Sequence, residues 1–507
     1  MSIRIKHLPL LWAFLLVTSI FPGTTLADLP SHLDKVHFDW VCVTDAPLVE
    51  AYAPLAAHRS DQGLAPLVVA LDEVIRWSPS GEDTLATLRW LATVTAHQWG
   101  AEYLLLGGSH ALLPAPIHRL DQPLLDFRNP TDAYYRCLDG EWDVDGDGLY
   151  AEWEDDAAEM TVHLTVGRIP ADTAQEVTQV VNKIIAFEAR PAETADAALF
   201  VASLMDPDWT TLDPYPNWSL NMASGRRDFA LLERPELRTS TLFQDDLANP
   251  PSEDALNPRS LADSLSSRPH DLVYLQLHGA AEGWELVGYL QAVPDDFSPL
   301  ANCGHSFIAA MISGGVADTR EECVLSRLIT MEDGGAVAAV APTGLGFLMH
   351  HNQFQDDLWR RMLNGEVERL GQAFTLALED FVAWAIPPTG HKASTYWVLS
   401  LQGDPATLLR PTANPVGHVP HLTRLDLRAV PNPFNPTTTI QFTLDQAADV
   451  QLEIFDLHGR RVTTLIDREM GPGPQSIPWN DAPASGLYFA RITTGATTRT
   501  IKLMMIE

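Results

Sequence analysis

Short apolar runs closed by glycine and a polar residue punctuate the middle of the chain. Residues 272–277 (LVYLQL) end in His278-Gly279, residues 307–312 (FIAAMI) end in Ser313-Gly314-Gly315, and residues 334–344 (GGAVAAVAPTG) end in glycine again. Runs this short and this uniformly apolar fit strands buried on both faces of a parallel sheet. In an open α/β sheet, function collects at the carboxyl ends of such strands. The pattern therefore marks His278 and the residues around Ile312 and Ser313 as the place to look for chemistry.

The flanking pattern agrees. FDWVCV (residues 38–43) reads as a strand, and Leu48, Tyr52, Leu55 and Ala56 then recur at helical spacing. PLVVAL follows Gly63, a helix opens at Asp83 with Leu85, Leu88, Leu91 and Ala92 on one face, and YLLLGG (103–108) is the next strand. Strands alternating with helices imply a parallel sheet covered by helices. VGRIPA (166–171) precedes a helix with a capping box at Thr173 and Glu176 and an apolar stripe of Val177, Val180, Val181 and Ile184. LFVASLMD (199–206) is a further strand with a carboxylate at its end. Helical stretches at 354–363 and 371–381 lead to YWVLSLQGDP, and residues 207–265 carry no motif.

After a Pro-rich linker at 411–424 the pattern changes. TTTIQFTL, VQLEIFDL and GLYFARI alternate apolar and polar residues between Gly, Pro and Asn turns, which predicts a small all-β, immunoglobulin-like sandwich over 425–507. At the other end, Arg4 and Lys6, an apolar centre from Leu8 to Ile20 and Thr25-Leu26-Ala27 read as a secretory signal over 1–27. The apolar centre is shorter than the ~20 residues of a spanning helix, and no later segment is long enough, so no transmembrane span is expected in the mature chain.

The chain has 507 residues, enough for more than one domain. Its net charge of −33 argues against nucleic acid and anionic membrane as partners and favours divalent cations. Cys42, Cys137, Cys303 and Cys323 show no C-x-x-C spacing, which disfavours zinc; disulfides are permitted but their pairing is open. The pair His350-His351 is discounted as a metal site because adjacent residues do not share a helix face.

One acidic stretch is more specific. Asp143, Asp145, Asp147 and Gly148, with Glu154 at the twelfth place, fill the calcium-loop pattern D-x-D-x-D-G-x5-E. Alternate carboxylates on a tight loop supply the hard oxygens calcium needs, and the Glu closes the shell. The predicted cofactor is a structural calcium ion; the alternative is a solvated acidic turn. No clear helix precedes Asp143, so this is a calcium loop without a full EF-hand.

The His-Gly strand end, Trp284 soon after it, the second strand end in small residues and Asp318, and GGAVA resemble the gingipain family of cysteine peptidases. The Tyr134-Tyr135 segment, acidic loop, VGRIP and following helix resemble the family more closely still. The resemblance implies a caspase-like or flavodoxin-like α/β fold with parallel sheets and flanking helices. It divides the chain into an N-terminal subdomain (28–130) and a catalytic-type domain (131–410). It assigns His278 as the base and, counted back from Gly315, Ile312 as the nucleophile position. Asp206 is the candidate orienter of His278, although direct counting falls on Met205 and Asp206 serves equally as a cap before Pro207. Cys323 falls where the family often has a second, non-catalytic cysteine. PNPFNPTTTIQF, HGRRV and GLYFARI resemble the C-terminal sorting domain of type IX secretion, which implies that machinery as a partner and export to the surface of a Gram-negative-type bacterium.

Isoleucine has no lone pair and no proton to give. Two functional readings follow. In one the chain is a cysteine-type endopeptidase that cleaves polypeptides through a displaced nucleophile, Ser313 or Cys303. In the other it is a degenerate, non-catalytic surface module. A one-residue shift turns a strand side chain to the other face, and Cys303 lies nine positions before Ile312, about 30 Å away in an extended strand. Both facts favour the second reading.

Overall fold

The structure is a computed structural model. It describes residues 30, 33, 36–81, 83–122, 125–153, 156–190, 197–203, 218–244, 256–267, 269–286, 291–297, 300, 302, 305–332, 334–383, 390–409, 427–430, 434, 436–444, 447–456, 460–480, 486–494 and 497–505. The leader 1–27, Glu154, Asp206, Cys303 and the linker 411–424 lie outside the described residues.

The apolar runs become strands because both of their faces meet helices. Ten strands form one sheet: β1 (Trp40–Thr44), β2 (Pro66–Ala70), β3 (Tyr103–Gly107), β4 (Thr165–Ile169), β5 (Ala197–Ala202), β6 (Arg238–Phe243), β7 (Leu272–Gln276), β8 (Phe307–Ile312), β9 (Ala336–Pro342) and β10 (Leu399–Gly403). Their order is β6-β5-β7-β8-β9-β10-β4-β3-β1-β2. All pairings are parallel except that of β9 with β10. Strands from both sides of residue 130 thus share one sheet, inside a single compact unit that ends near Ala413.

Helices α1 (Val49–Asp61), α2 (Leu71–Trp77), α3 (Thr84–His97), α4 (Ala133–Arg136) and α5 (Ala174–Glu188) belong to the first half. The second half contributes α6 (Trp218–Glu233), α7 (Pro258–Ser267), α8 (Val324–Thr330), α9 (Leu348–Leu363), α10 (Leu370–Ala383) and α11 (Gly390–Val398). The period-2 pleat splits β1 between two cores: Trp40 and Cys42 pack with α1 and α5, Val41 and Val43 with α2 and α3. Asp83 caps α3 by accepting from the Ala86 N–H, and Thr173 and Glu176 form the predicted capping box of α5. At the amino edge Arg59 binds both Glu188 (2.8 Å) and Asp404 (2.7 Å), and the Trp40 indole donates to Asp404 (2.9 Å). Among the described residues no helix is long and apolar enough to cross a membrane.

The second unit spans Asn414–Glu507, and its described residues form strands and turns without a helix. Its strands are β11 (Arg428–Val430), β12 (Thr438–Leu444), β13 (Ala448–Asp456), β14 (Arg461–Met470), β15 (Gly473–Trp479), β16 (Gly486–Thr494) and β17 (Thr497–Met505). They pair antiparallel as a three-stranded sheet, β11-β12-β15, and a four-stranded sheet, β14-β13-β16-β17. One core, built on Ile440, Leu452, Ile454, Trp479, Ala490 and Ile492, serves both sheets. The predicted alternation becomes a sandwich because each strand turns one face to that core.

Candidate active site and metal loop

The sequence-marked residues meet at the carboxyl ends of β7 and β8. Gln276, the last residue of β7, pairs with Ile312, the last of β8, and the Leu277 N–H donates to the Ile312 carbonyl at 3.1 Å. The chain then leaves the sheet and folds into a hairpin, His278–Ala280 against Gly283–Glu285, with His278 opposite Glu285 and Gly279 opposite Trp284. His278 is half-buried, whereas Trp284 is sealed and edge-on to Phe297. Ile312 is 2% exposed and offers only an alkyl surface.

Gly279 explains how hairpin and strand end fit. A β-carbon there would lie 2.1 Å from Ser313 Oγ and 2.7 Å from a methyl of Val316. The Ser313 hydroxyl is buried and has no hydrogen-bond partner. Successive side chains of a regular strand point to opposite faces, so such a strand would turn the His278 imidazole away from the side of Gly279 that meets Ser313. The Ser313 hydroxyl makes no hydrogen bond to the His278 imidazole.

After Ser313 the chain runs as a strap across the carboxyl edge. Gly315, at φ +71°, takes the left-handed turn that glycine accepts without a β-carbon clash. Gly315 and Ala317 donate to the carbonyls of Gly344 and Pro342, each at 3.2 Å. The strap ends on the first half of the sheet, where Thr319 Oγ1 lies 2.7 Å from His110 Nδ1. His110 Nε2 faces Asp132 at 3.7 Å, and Asp132 is gripped by Arg168 at 2.9 and 2.7 Å. Burial and the Arg168 charge hold His110 below the ordinary histidine range, so the ring is neutral; a proton on Nε2 leaves Nδ1 to accept from Thr319. Burial alone raises the Asp132 carboxyl, but Arg168 outweighs it and keeps the group ionised far below the usual range.

These four residues were not singled out from sequence. The available signal was an arginine in the middle of the buried run VGRIP, since a buried guanidinium demands a carboxylate. Arg168 also donates to the carbonyls of Gly108 and Leu113, so the network ties the strap to the loop after β3. Thr319 and His110 are sealed, which makes this constellation a clasp.

None of the described cysteines is exposed or activated. Cys42 lies in β1, Cys137 contacts the Tyr396 hydroxyl at 3.2 Å, and Cys323 caps α8 by accepting from the Ser326 N–H at 3.4 Å. Burial pushes all three thiols up, the opposite of what a thiolate nucleophile needs.

The acidic loop places one carboxylate oxygen from each of Asp143, Asp145 and Asp147 within 4.8 Å of one another. Gly146 (φ +75°) and Gly148 (φ +81°) supply the reversals that turn the three carboxylates inward. Asp143 Oδ1 is shielded and unpartnered, and Asp143 Oδ2 accepts from the Gly148 N–H at 3.3 Å. Asp156 braces the loop from outside by accepting from Val144 and Glu152 at 2.8 and 2.9 Å. An oxygen set of this density suits a hard divalent cation. The loop rests on aromatic rings: Trp142 stacks edge-on with Tyr134 and Trp397.

Comparison with known proteins agrees with this fold. Residues 34–410 match the model of peptidase family C25, and residues 429–507 match the secretion system C-terminal sorting domain. The chain is similar in structure to the Arg-specific cysteine proteinase gingipain R (RgpB), with a TM-score of 0.57 at 13% identity, covering 95% of this chain and 100% of that one. It is likewise similar to the complex of the pro- and mature domains of RgpB from Porphyromonas gingivalis, with a TM-score of 0.56 at 13% identity, covering 92% and 100%. At such identity the likeness is one of fold, the caspase-like one. No curated protein sequence matches the chain.

Proposed function

The chain belongs to peptidase family C25, and from that membership we propose that it is an exported relative without thiolate catalysis, whose caspase-like unit serves as a surface binding or structural module. Export itself follows from the sorting domain, which hands the chain to the type IX machinery. The observation that carries the rest is the composition of the strand end. Residues 305–318 read HSFIAAMISGGVAD and hold no cysteine, so shifting the family register by a residue or two restores no thiol. Ile312 has no reactive group, and the thioether of its neighbour Met311 has no acidic proton. Losing a nucleophile alone costs on the order of 10⁶ in turnover.

One observation favours the competing reading of an active peptidase: Ser313 carries a buried hydroxyl without a partner. The lack of any hydrogen bond from that hydroxyl to the His278 imidazole argues against attack assisted by His278. The deciding experiment compares wild type, Ile312→Cys, Ser313→Ala and Cys303→Ala on a mixed peptide library, with and without a thiol-alkylating reagent. The expected result is no cleavage by wild type. Wild-type cleavage that disappears with Ser313→Ala or Cys303→Ala overturns the proposal. Ile312→Cys gains weak, alkylation-sensitive activity if His278 retains an orienting carboxylate, the role proposed for Asp206.

The same reading includes a calcium ion held by Asp143, Asp145, Asp147 and Glu154. The unpartnered Asp143 oxygen and the convergence of three carboxylates support it. At this site calcium supplies structural cross-linking of the loop and no chemistry.

A further inference from the structure

Lys183, on α5, is buried. Four backbone carbonyls surround its Nζ and share its three N–H bonds: Leu328 (3.4 Å), Ile329 (2.5 Å), Gly334 (2.9 Å) and Ala336 (3.3 Å). Two belong to the last turn of α8, where carbonyls are left over and the helix dipole is negative. The other two belong to the segment that enters β9. Among the described residues its partners are all backbone carbonyls, so helix-end and turn dipoles face the positive charge.

The double glycine before β9 is what lets the backbone close this way. A β-carbon on Gly334 would lie 2.0 Å from Asn302 Oδ1, and one on Gly335, at φ +79°, would lie 2.0 Å from the Leu328 carbonyl oxygen. Asn302 Oδ1 in turn accepts from the Gly335 N–H at 2.7 Å. Carbonyl oxygens converging from a helix end and an irregular turn are the arrangement by which proteins strip and hold monovalent cations. The spread of 2.5–3.4 Å suits ammonium or potassium better than a smaller ion.

We propose that these four carbonyls form a monovalent-cation site whose resident cation is the tethered ammonium of Lys183, and that free ammonium or potassium takes its place when the side chain is cut back. The site sits at the amino end of β9, at the opposite edge of the sheet from His278 and Ile312, and fixes where that strand begins. Because the cation is covalently supplied, the intact protein is indifferent to the identity of the surrounding salt. Burial pulls the amine down to about 7, so the test is run at pH 6, where the amine is charged.

Thermal melting of the full chain is followed for wild type, Lys183→Ala and Lys183→Met in chlorides of ammonium, potassium and tetramethylammonium at equal ionic strength. Wild type melts alike in all three. Lys183→Ala melts lower and recovers by roughly 2–4 °C or more in ammonium and potassium over tetramethylammonium. Lys183→Met, which fills the space with methyl and sulfur, stays low in every salt. Equal behaviour of Lys183→Ala in the three salts overturns the proposal, as does Lys183→Met melting like wild type. If Lys183→Ala does not accumulate folded, its refolding yield in each salt is read instead. Selective recovery in ammonium and potassium supports the site, and uniform failure overturns it.

Discussion

The Ser313 hydroxyl fills the position that a side chain on Gly279 would need, 2.1 Å from the site of its β-carbon. Strand end and hairpin are therefore complementary at the level of single atoms, and the complementarity can be reversed. Gly279→Ala is expected to destabilise by about 1–3 kcal/mol through overpacking. Ser313→Ala removes a buried hydroxyl without a partner and is expected within about 1 kcal/mol of wild type. On the Ser313→Ala background the cost of Gly279→Ala should shrink, a coupling that a double-mutant cycle in urea measures directly. Independent, additive effects would show that the two residues do not compete for space.

The clasp beneath the strap makes a second prediction. Asp132→Asn leaves the sealed Arg168 guanidinium without its counter-charge and is expected to cost about 3–5 kcal/mol. Replacing both partners with apolar residues, Arg168→Met with Asp132→Leu, should cost less than Asp132→Asn alone. Urea midpoints of the three proteins rank the outcomes, and a harmless Asp132→Asn would show that the pair is not buried as described.

Acid should loosen the first unit before its carboxylates titrate. Burial pulls His118 down to about 4, against a helping hydrogen bond to the Tyr150 carbonyl. Burial, with the neighbouring His350, pulls His351 down to about 3. Both pKa values are depressed in the folded state, so their contribution is present above about 6.5, the unfolded value, and is lost as pH falls towards 4. Each histidine costs on the order of 1.4 kcal/mol per pH unit in that window. Melting midpoints should fall steadily from pH 6.5 to 4.5, and His351→Leu should flatten the slope.

Calcium should raise the melting temperature and a chelator should lower it, with the effect abolished by Asp145→Asn combined with Glu154→Gln. Trp142 adjoins the loop and stacks on Trp397, so tryptophan emission should shift on the same titration. A transition indifferent to both additions, with no metal in the purified protein, would sink the assignment.

Much of this architecture is legible in the sequence. Runs such as FIAAMI and GGAVAAVAP are apolar at every position because both strand faces are covered, and that leaves a local imprint. The caps at Asp83 and Thr173 were equally plain, since a cap is settled within four residues. What stayed hidden depends on distance along the chain. Nothing near Thr319 announces His110, 209 residues earlier, and nothing near Lys183 announces the carbonyls it binds. GGAVA could be read as a family mark, but its physical reason, the closing of backbone around an ammonium, appears only in three dimensions.

β10 has a consequence for the order in which the molecule can be completed. It is wedged between β9 and β4, antiparallel to the first and parallel to the second, meeting β4 at Gln402 and Arg168. Strands from the two halves of the sheet touch only through this last-made strand, and Asp404 just beyond it closes on Arg59. A chain threaded out from its amino end can thus assemble two half-sheets with exposed apolar edges, and although Thr319 meets His110 and Lys183 meets α8 across the divide, the strand ladder that joins them is missing until residues 399–404 arrive. Such late, long-range closure is slow and leaves the halves open to misassociation meanwhile. A nascent chain stopped short of β10 should be recognised by holdases and proteases, and the same chain a dozen residues longer should not.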